Sequence, residues 1–275
     1  MSLTGETPMP LTLPALDDRP LARAPLAVVV FQVRFEQNLS VGDGDTGLRI
    51  HERLGGRDGL YPRVEPLQML GASVQMGPGL APITSPTVPS RGVRMRNDDG
   101  TLVLSLMPEF ISIETTSYGS WKNDFRDRIS EVLNALNDNI QPRVEERLGL
   151  RYVNRIVEPE VSSPADFRGI ISDGLLGPIV DDFWSPGVTG LQQQLEIDVY
   201  DDVQCVVRHG TLARSTGIGL DGYLLDLDLF RQQPRRFDVK NIIETSDRIN
   251  EAATTLFQNS LAPGYLEILR EVPSS

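Results

Sequence analysis

Cysteine is almost absent from this chain. Cys205 stands alone among 275 residues, which excludes an intrachain disulfide and any zinc cage built on cysteine. Histidine is nearly as scarce: His51 lies on a short predicted helix and His209 at a strand end, places where a surface or capping residue is expected rather than a base. Long apolar runs are missing too. The longest early one, Leu26 to Phe31, falls far short of the ~20 residues a membrane span requires, and no basic segment followed by an apolar stretch precedes it. A cytoplasmic protein without membrane contact is the expectation. Positive charge is in deficit, with 26 Lys and Arg against 38 Asp and Glu, a net −12, so attraction to phosphate backbones is weakened and nucleic-acid binding would need a local basic patch. No serine sits in a G-x-S-x-G elbow, and Gly217-Ile218-Gly219 lacks the strand-turn-helix context of a phosphate loop. The sequence therefore discloses no activity, assigns no catalytic or metal-ligating residue and calls for no cofactor; it leans away from an enzyme.

What is present is alternation. From Ala27 a strand puts Val29, Phe31, Val33 and Phe35 on one face and Val28, Val30, Gln32, Arg34 and Glu36 on the other. Ahead of it, residues 1–24 with Pro8, Pro10, Pro14 and Pro20 form an extended N-terminal arm. A short helix over Thr46 to Leu54 is ended by Gly55-Gly56, and residues 71–91, rich in proline and glycine, read as a surface loop. Val93 to Asn97 and Thr101 to Met107 flank the Asp98-Asp99-Gly100 turn, and Phe110 to Thr116 completes a three-stranded meander. Ser120 then caps a long helix to about Ile140, with Trp121, Phe125, Ile129, Val132, Leu133 and Leu136 at helical spacing.

The order then repeats. The stretch Arg147 to Pro159 places Leu148, Leu150, Tyr152, Asn154 and Ile156 on one face and Arg147, Arg151, Val153, Arg155 and Val157 on the other. A short helix near Ala165 to Ile171 follows, and then a Pro/Gly loop from Gly177 to Gly190 that carries Phe183 and Trp184. Strands Leu191 to Tyr200, Val203 to Arg208 and Tyr223 to Phe230 make a second meander, the first two joined through Asp201-Asp202. Asp238 caps a second long helix, broken at Pro263-Gly264 before a short final one. The predicted class is α+β: two pseudo-repeated units, residues 25–142 and 143–275, each a strand, short helix, meander and long helix. Two long helices would cover an antiparallel sheet in the manner of the TATA-binding-protein-like or helix-grip architectures. A single Bet v 1-like helix-grip domain is the alternative.

The sheet face turned away from the helices holds the chemistry. It gathers Arg147, Arg151 and Arg155 with Gln192, Gln194, Glu196 and Asp198, then Asp226 and Asp228. The plain reading is cross-strand ion pairing on a wet face, each pair contributing a few tenths to ~1 kcal/mol. The functional reading is a binding surface built on Arg151, Arg155, Asp226 and Asp228, with Trp184 as an exposed anchor, for a protein partner or a small charged ligand. The runner-up is a metal-dependent or anion-processing enzyme centred on Asp226 and Asp228. Cys205 shares a face with Val203 and Val207 and reads as a small buried hydrophobe.

The motifs PLAVVVFQVRFE, Tyr61-Pro62, RGVRMRNDDGTLVLSLMPEFISIET, WKNDFR, LGLRYVNRI and YLLDLDLFR, with the final helix, resemble a sporadically distributed, uncharacterised family of bacterial and archaeal proteins of about 260 residues. The resemblance runs over most of the chain from Pro25 onward, and LGLRYVNRI is its most specific part. It implies no catalytic residues. The patchy distribution of that family implies accessory or mobile-gene cargo, in the stress or anti-phage sphere.

Overall fold

The structure is a computed structural model and describes residues 9–69, 72–75, 83–86, 90–200, 202–214 and 219–272. In chain order its elements are β1 (Leu26–Phe35), α1 (Asp45–Arg53), β2 (Arg63–Met69), β3 (Ala72–Gln75), β4 (Ile83–Pro86), β5 (Ser90–Arg96), β6 (Leu102–Met107), β7 (Phe110–Thr115), α2 (Arg126–Asn139), β8 (Val144–Ile156), α3 (Asp173–Leu176), β9 (Gln192–Tyr200), β10 (Val203–Ala213), β11 (Leu220–Arg231), β12 (Arg235–Arg236), α4 (Val239–Ser260) and α5 (Pro263–Arg270). The class is α+β. Ten strands form an antiparallel sheet in the order β2-β5-β6-β7-β1-β8-β11-β10-β9, with β12 on β8, while β3 and β4 pair separately. Two compact units are distinguished. The amino unit comprises Val30–Leu148 and Pro234–Ile243; the carboxyl unit comprises the residues up to Val29, Gly149–Gln233 and those from Glu244 on. Their boundaries cut β1, β8 and α4 instead of falling in the turn near residue 142.

In the amino unit the alternation of β1 is realised: Phe31, Val33 and Phe35 are buried, and Arg34 between them is exposed. Val93 and Met95, Leu102, Leu104 and Leu106, and Ile111 and Ile113 extend the apolar face across β5, β6 and β7. Gly100 takes φ +74° in the β5–β6 turn, a backbone region open to glycine at little cost, and the Asp99 carboxylate accepts from the Thr101 N–H and hydroxyl. Before α2, residues Trp121–Phe125 make a π-helical turn. Ser120 Oγ accepts there from the Asn123 N–H, and Trp121, Phe125, Ile129, Val132, Leu133 and Leu136 form the buried stripe. Asp238 caps α4 as expected, its carboxylate accepting from the Asn241 N–H at 2.9 Å.

Two local expectations are corrected in this unit. β2 was not anticipated, because Pro66 interrupts its alternation and proline cannot donate to a ladder. Its place at the end of the sheet order, paired to β5 alone, is where a strand tolerates proline. The 71–91 segment is not wholly irregular, since β3 and β4 pair through it, and residues 71, 76–82 and 87–89 lie outside the described residues.

In the carboxyl unit Leu150, Tyr152, Asn154 and Ile156 of β8 are buried while Arg151 and Arg155 are exposed. β11 buries Tyr223, Leu225, Leu227 and Leu229 on the matching side, and β10 adds Val203, Cys205 and Val207. Helix α4 covers this face: the Tyr152 hydroxyl donates to Asn250 Oδ1 at 2.8 Å, and Arg231 Nη1 donates to Thr245 Oγ1 at 3.0 Å. The predicted helix at Ala165 to Ile171 shrinks to a 3-10 turn, Pro164–Phe167, closed by a Ser163–Asp166 capping box. The described part of the arm is extended and tied down. The Leu11 N–H donates to the Asp198 carbonyl, Asp17 pairs with Arg270 at 2.7 Å, and Arg19 pairs with Glu267 at 3.0 Å. Of the predicted turns, Asp201 and Gly217-Ile218 lie outside the described residues.

Both histidines are buried rather than at the surface, because each finds a polar partner inside. His51 Nε2 donates to the Tyr61 carbonyl at 2.8 Å. His209 Nδ1 meets the Tyr223 hydroxyl at 2.7 Å, and its Nε2 has no hydrogen-bond partner. Burial pushes the His209 pKa below its ordinary 6.5. The unfolded chain therefore binds this proton more readily than the native one, so stability present above about pH 6.5 declines as pH falls through the native value. Unfolding free energies from urea melts at pH 7.5 and pH 5 are expected to drop more for the wild type than for His209→Gln, by up to ~1.4 kcal/mol per pH unit. Equal drops would remove His209 from the acid response.

Candidate functional site

The outer face of the carboxyl unit is laid out by register. β10 sets Arg208 opposite Asp226 of β11 on one side and Gln194 of β9 on the other; two residues along, Val206 lies between Asp228 and Glu196; next comes Gln204 opposite Asp198. On β10 and β11 these positions alternate with core residues, so their polarity follows from the strand period.

Its centre is a buried carboxylate. Asp226 is only 2% exposed, yet it sits on the outer face because two arginines roof it. Arg151 grips it in a fork, Nε to Oδ1 at 2.8 Å and Nη2 to Oδ2 at 2.7 Å, and Arg208 Nη1 stands 3.6 Å from Oδ2. The guanidinium side chains remain near half exposed, 46% for Arg151 and 41% for Arg208. A bidentate, charge-assisted pair of this kind is geometrically specific and stronger than a neutral hydrogen bond. Arg155 does not reach Asp226 or Asp228. Its acid partner on β11 is Asp221, at 4.0 Å, which Arg214 also approaches at 3.8 Å. Further out, Gln194 Nε2 donates to Glu196 and Gln204 Nε2 to Asp198. Arg147, grouped with this face from sequence, lies in the amino unit and hydrogen-bonds Gln32 at 3.5 Å.

Trp184 is not part of this constellation. Its loop is rooted on the helix-covered side, where Leu176 and Ile179 are buried, Arg168 donates to the Ile179 carbonyl, and Phe167 packs on Tyr223 at 5.0 Å between centroids. At the tip, Asp181 Oδ1 accepts from the N–H groups of Phe183 and Trp184, which holds the two rings outward, 80% and 60% exposed. The anchor expected from sequence is indeed exposed, on the other side of the sheet from Asp226.

Arg208, Arg214 and Asp221 complete the polar face and were not singled out from sequence. The signal was there for Arg208: Gln204, Val206 and Arg208 continue the outward parity of β10. Cys205 is buried, and desolvation first, then the Asp228 and Asp226 charges, push its thiol up to about 12, so it is no nucleophile at neutral pH. Among the described residues no three His, Cys, Asp or Glu side chains gather into a set able to hold a metal ion. No helix among them is long and apolar enough to cross a membrane. Comparison with protein-family models, with curated proteins and with solved structures gave no match.

Arg151→Ala leaves the Asp226 carboxylate buried with only the more distant Arg208. With Arg151 itself half in solvent, the expected loss lies below the 3–5 kcal/mol of a fully buried pair, at about 2 kcal/mol. Arg151→Ala combined with Asp226→Ala removes the stranded charge and is expected to recover part of that loss in denaturant melts; a simple sum of the two single losses would contradict the pairing.

Proposed function

We propose that this chain is a non-enzymatic binding protein whose outer face on β8–β11 docks a charged protein partner. The observation that carries the reading is the buried Asp226 holding two half-exposed guanidiniums on the outer strand face. Such pinned arginines lose little further conformational freedom on binding. Arg151 and Arg155 are about 13 Å apart along β8, a spacing that suits a protein surface and exceeds the reach of one small carboxylate. Glu196 and Asp198 in adjacent rows add the opposite sign, which favours register and specificity over bulk attraction.

The chain is further read as two copies of one α+β unit. In support, strand, short helix, meander and long helix recur in that order, and in each half the last meander strand neighbours the first strand, β7 beside β1 and β11 beside β8. The TATA-binding-protein-like and helix-grip arrangements remain the analogies for it. The motif resemblance supports placing the chain in the sporadic bacterial and archaeal family, and with it an accessory role in stress or phage defence.

Native co-purification from the source cell tests the binding reading. The protein is expected to retain a partner that Arg155→Gln releases, with a melting temperature close to the wild type; a partner held equally by that variant would place the interface elsewhere.

The competing enzyme reading rests on Asp226 and Asp228 pointing the same way. Both Asp226 oxygens already accept from Arg151, so a cation there must displace a guanidinium fork. Mg²⁺, Mn²⁺ or Zn²⁺ at 100 times a dissociation constant would add about 2.7 kcal/mol of stability. No such thermal shift is expected, and a shift lost in Asp226→Asn would instead favour the enzyme.

A further inference from the structure

A cavity lies in the amino unit. It is a cleft of ≈ 970 Å³ between the segment from Gly42 to His51 and strands β2 and β5. The close seating of α1 on β5 forms one wall: a Cβ on Gly47 would lie 2.4 Å from a Val93 methyl, so only glycine lets the helix approach this near. Leu48, Pro62, Val64, Pro66 and Leu67 give the cleft an apolar lining. His51 also lines it, with its Nε2–H committed to the Tyr61 carbonyl. The volume falls at the upper end of the range of small-molecule sites, ~300–1,000 Å³.

The charges at its rim do not cancel. Arg57, Arg63 and Arg91 line it against Glu65 and Asp98. Asp98 is taken by Arg63 at 3.0 Å, and Glu65 lies within 4 Å of both Arg94, at 3.8 Å, and Arg96, at 3.6 Å. Arg57 and Arg91 are left with no acid partner among the described residues. In a chain of net charge −12, two unanswered guanidiniums beside an apolar cleft are a local feature and not a spill-over of bulk composition.

We propose that this cleft binds a small organic anion: an apolar body against Leu48, Pro62 and Pro66, with its carboxylate, phosphate or sulfonate held by one of the two rim arginines, Arg57 or Arg91. Guanidinium forks match each of these groups, and the apolar wall strengthens the charge-assisted bonds by excluding water. The proposal is independent of the docking surface above.

The probe is 8-anilinonaphthalene-1-sulfonate, followed by fluorescence on the intact protein. One saturable site is expected, weakened about tenfold by Arg57→Gln or Arg91→Gln, the scale of one lost charge-assisted hydrogen bond. Arg34→Gln, an exposed arginine of β1 outside the cleft, serves as the control and is expected to leave binding unchanged. Uncharged N-phenyl-1-naphthylamine is expected to bind much more weakly. Competition by phenyl phosphate or by benzoate then identifies which anion class the site prefers. Absence of saturable binding, equal binding of the uncharged probe, or unchanged affinity in the Arg57→Gln/Arg91→Gln double variant would overturn the proposal. Among the described residues neither arginine is in an ion pair, so thermal melts of these variants are expected to match the wild type.

Discussion

One side of every long strand has to leave water, and the rest of the structure follows from that. Phe31, Val33 and Phe35 on β1, and Tyr223, Leu225, Leu227 and Leu229 on β11, each stand to gain roughly 1.5–3 kcal/mol on full burial. An exposed ion pair contributes ~0.2–1 kcal/mol. With that difference in scale, apolar parity decides which face meets a helix, and charged side chains are assigned to the face that remains. Hydroxyl, amide and histidine groups caught on the wrong side are handled one at a time. Tyr152 bonds to Asn250, the Asn154 amide donates to the Leu225 carbonyl, and His209 turns to Tyr223.

Asp226 is the exception that gives the outer face its character. A carboxylate this buried is costly unless it is matched, and the match comes from two neighbouring strands at once, Arg151 on β8 and Arg208 on β10. The arrangement spends one acid to fix two cations at the surface. Around it the pairs loosen outward: Arg155 and Arg214 approach Asp221 only at 4.0 and 3.8 Å.

The edges of the carboxyl unit are managed by the arm. An edge strand leaves backbone groups open to pairing with other chains, and β9 ends the sheet order. The arm crosses it at Asp198 and is then strapped to α5 through the Asp17, Arg19, Glu267 and Arg270 cluster. Hydrogen bonds to Arg19, then the two nearby guanidinium charges, hold the Asp17 carboxyl below the usual carboxylate range. Asp17, Arg19 and Glu267 are exposed and Arg270 is 9% exposed, so the Arg19 pairs fix where the arm lies more than they stabilise it.

The sequence alone determined the class of the protein, the parity of the strands and the buried stripes of α2 and α4. These depend on local periodicity, and Val29, Phe31, Val33, Phe35 or Ile129, Val132, Leu133, Leu136 state that periodicity without help from distant residues. It also placed Arg151 with Asp226, because both lie on outward positions of strands that had to share a sheet. What it could not reach depends on register and on which elements meet. A shift of two residues leaves parity intact but changes every partner, which is why Arg155 found Asp221 and why Arg208 joined Asp226 unannounced. Pro66 hid β2, since a broken alternation reads as a loop until an edge position makes it tolerable. Trp184 was legible as exposed but not as lying on the opposite side from Asp226, because loop placement is set by Leu176, Ile179 and Phe167 finding the core. The cleft beside Arg57 and Arg91 exists only through the packing of α1 on β5, a contact between segments about forty residues apart that no local pattern encodes.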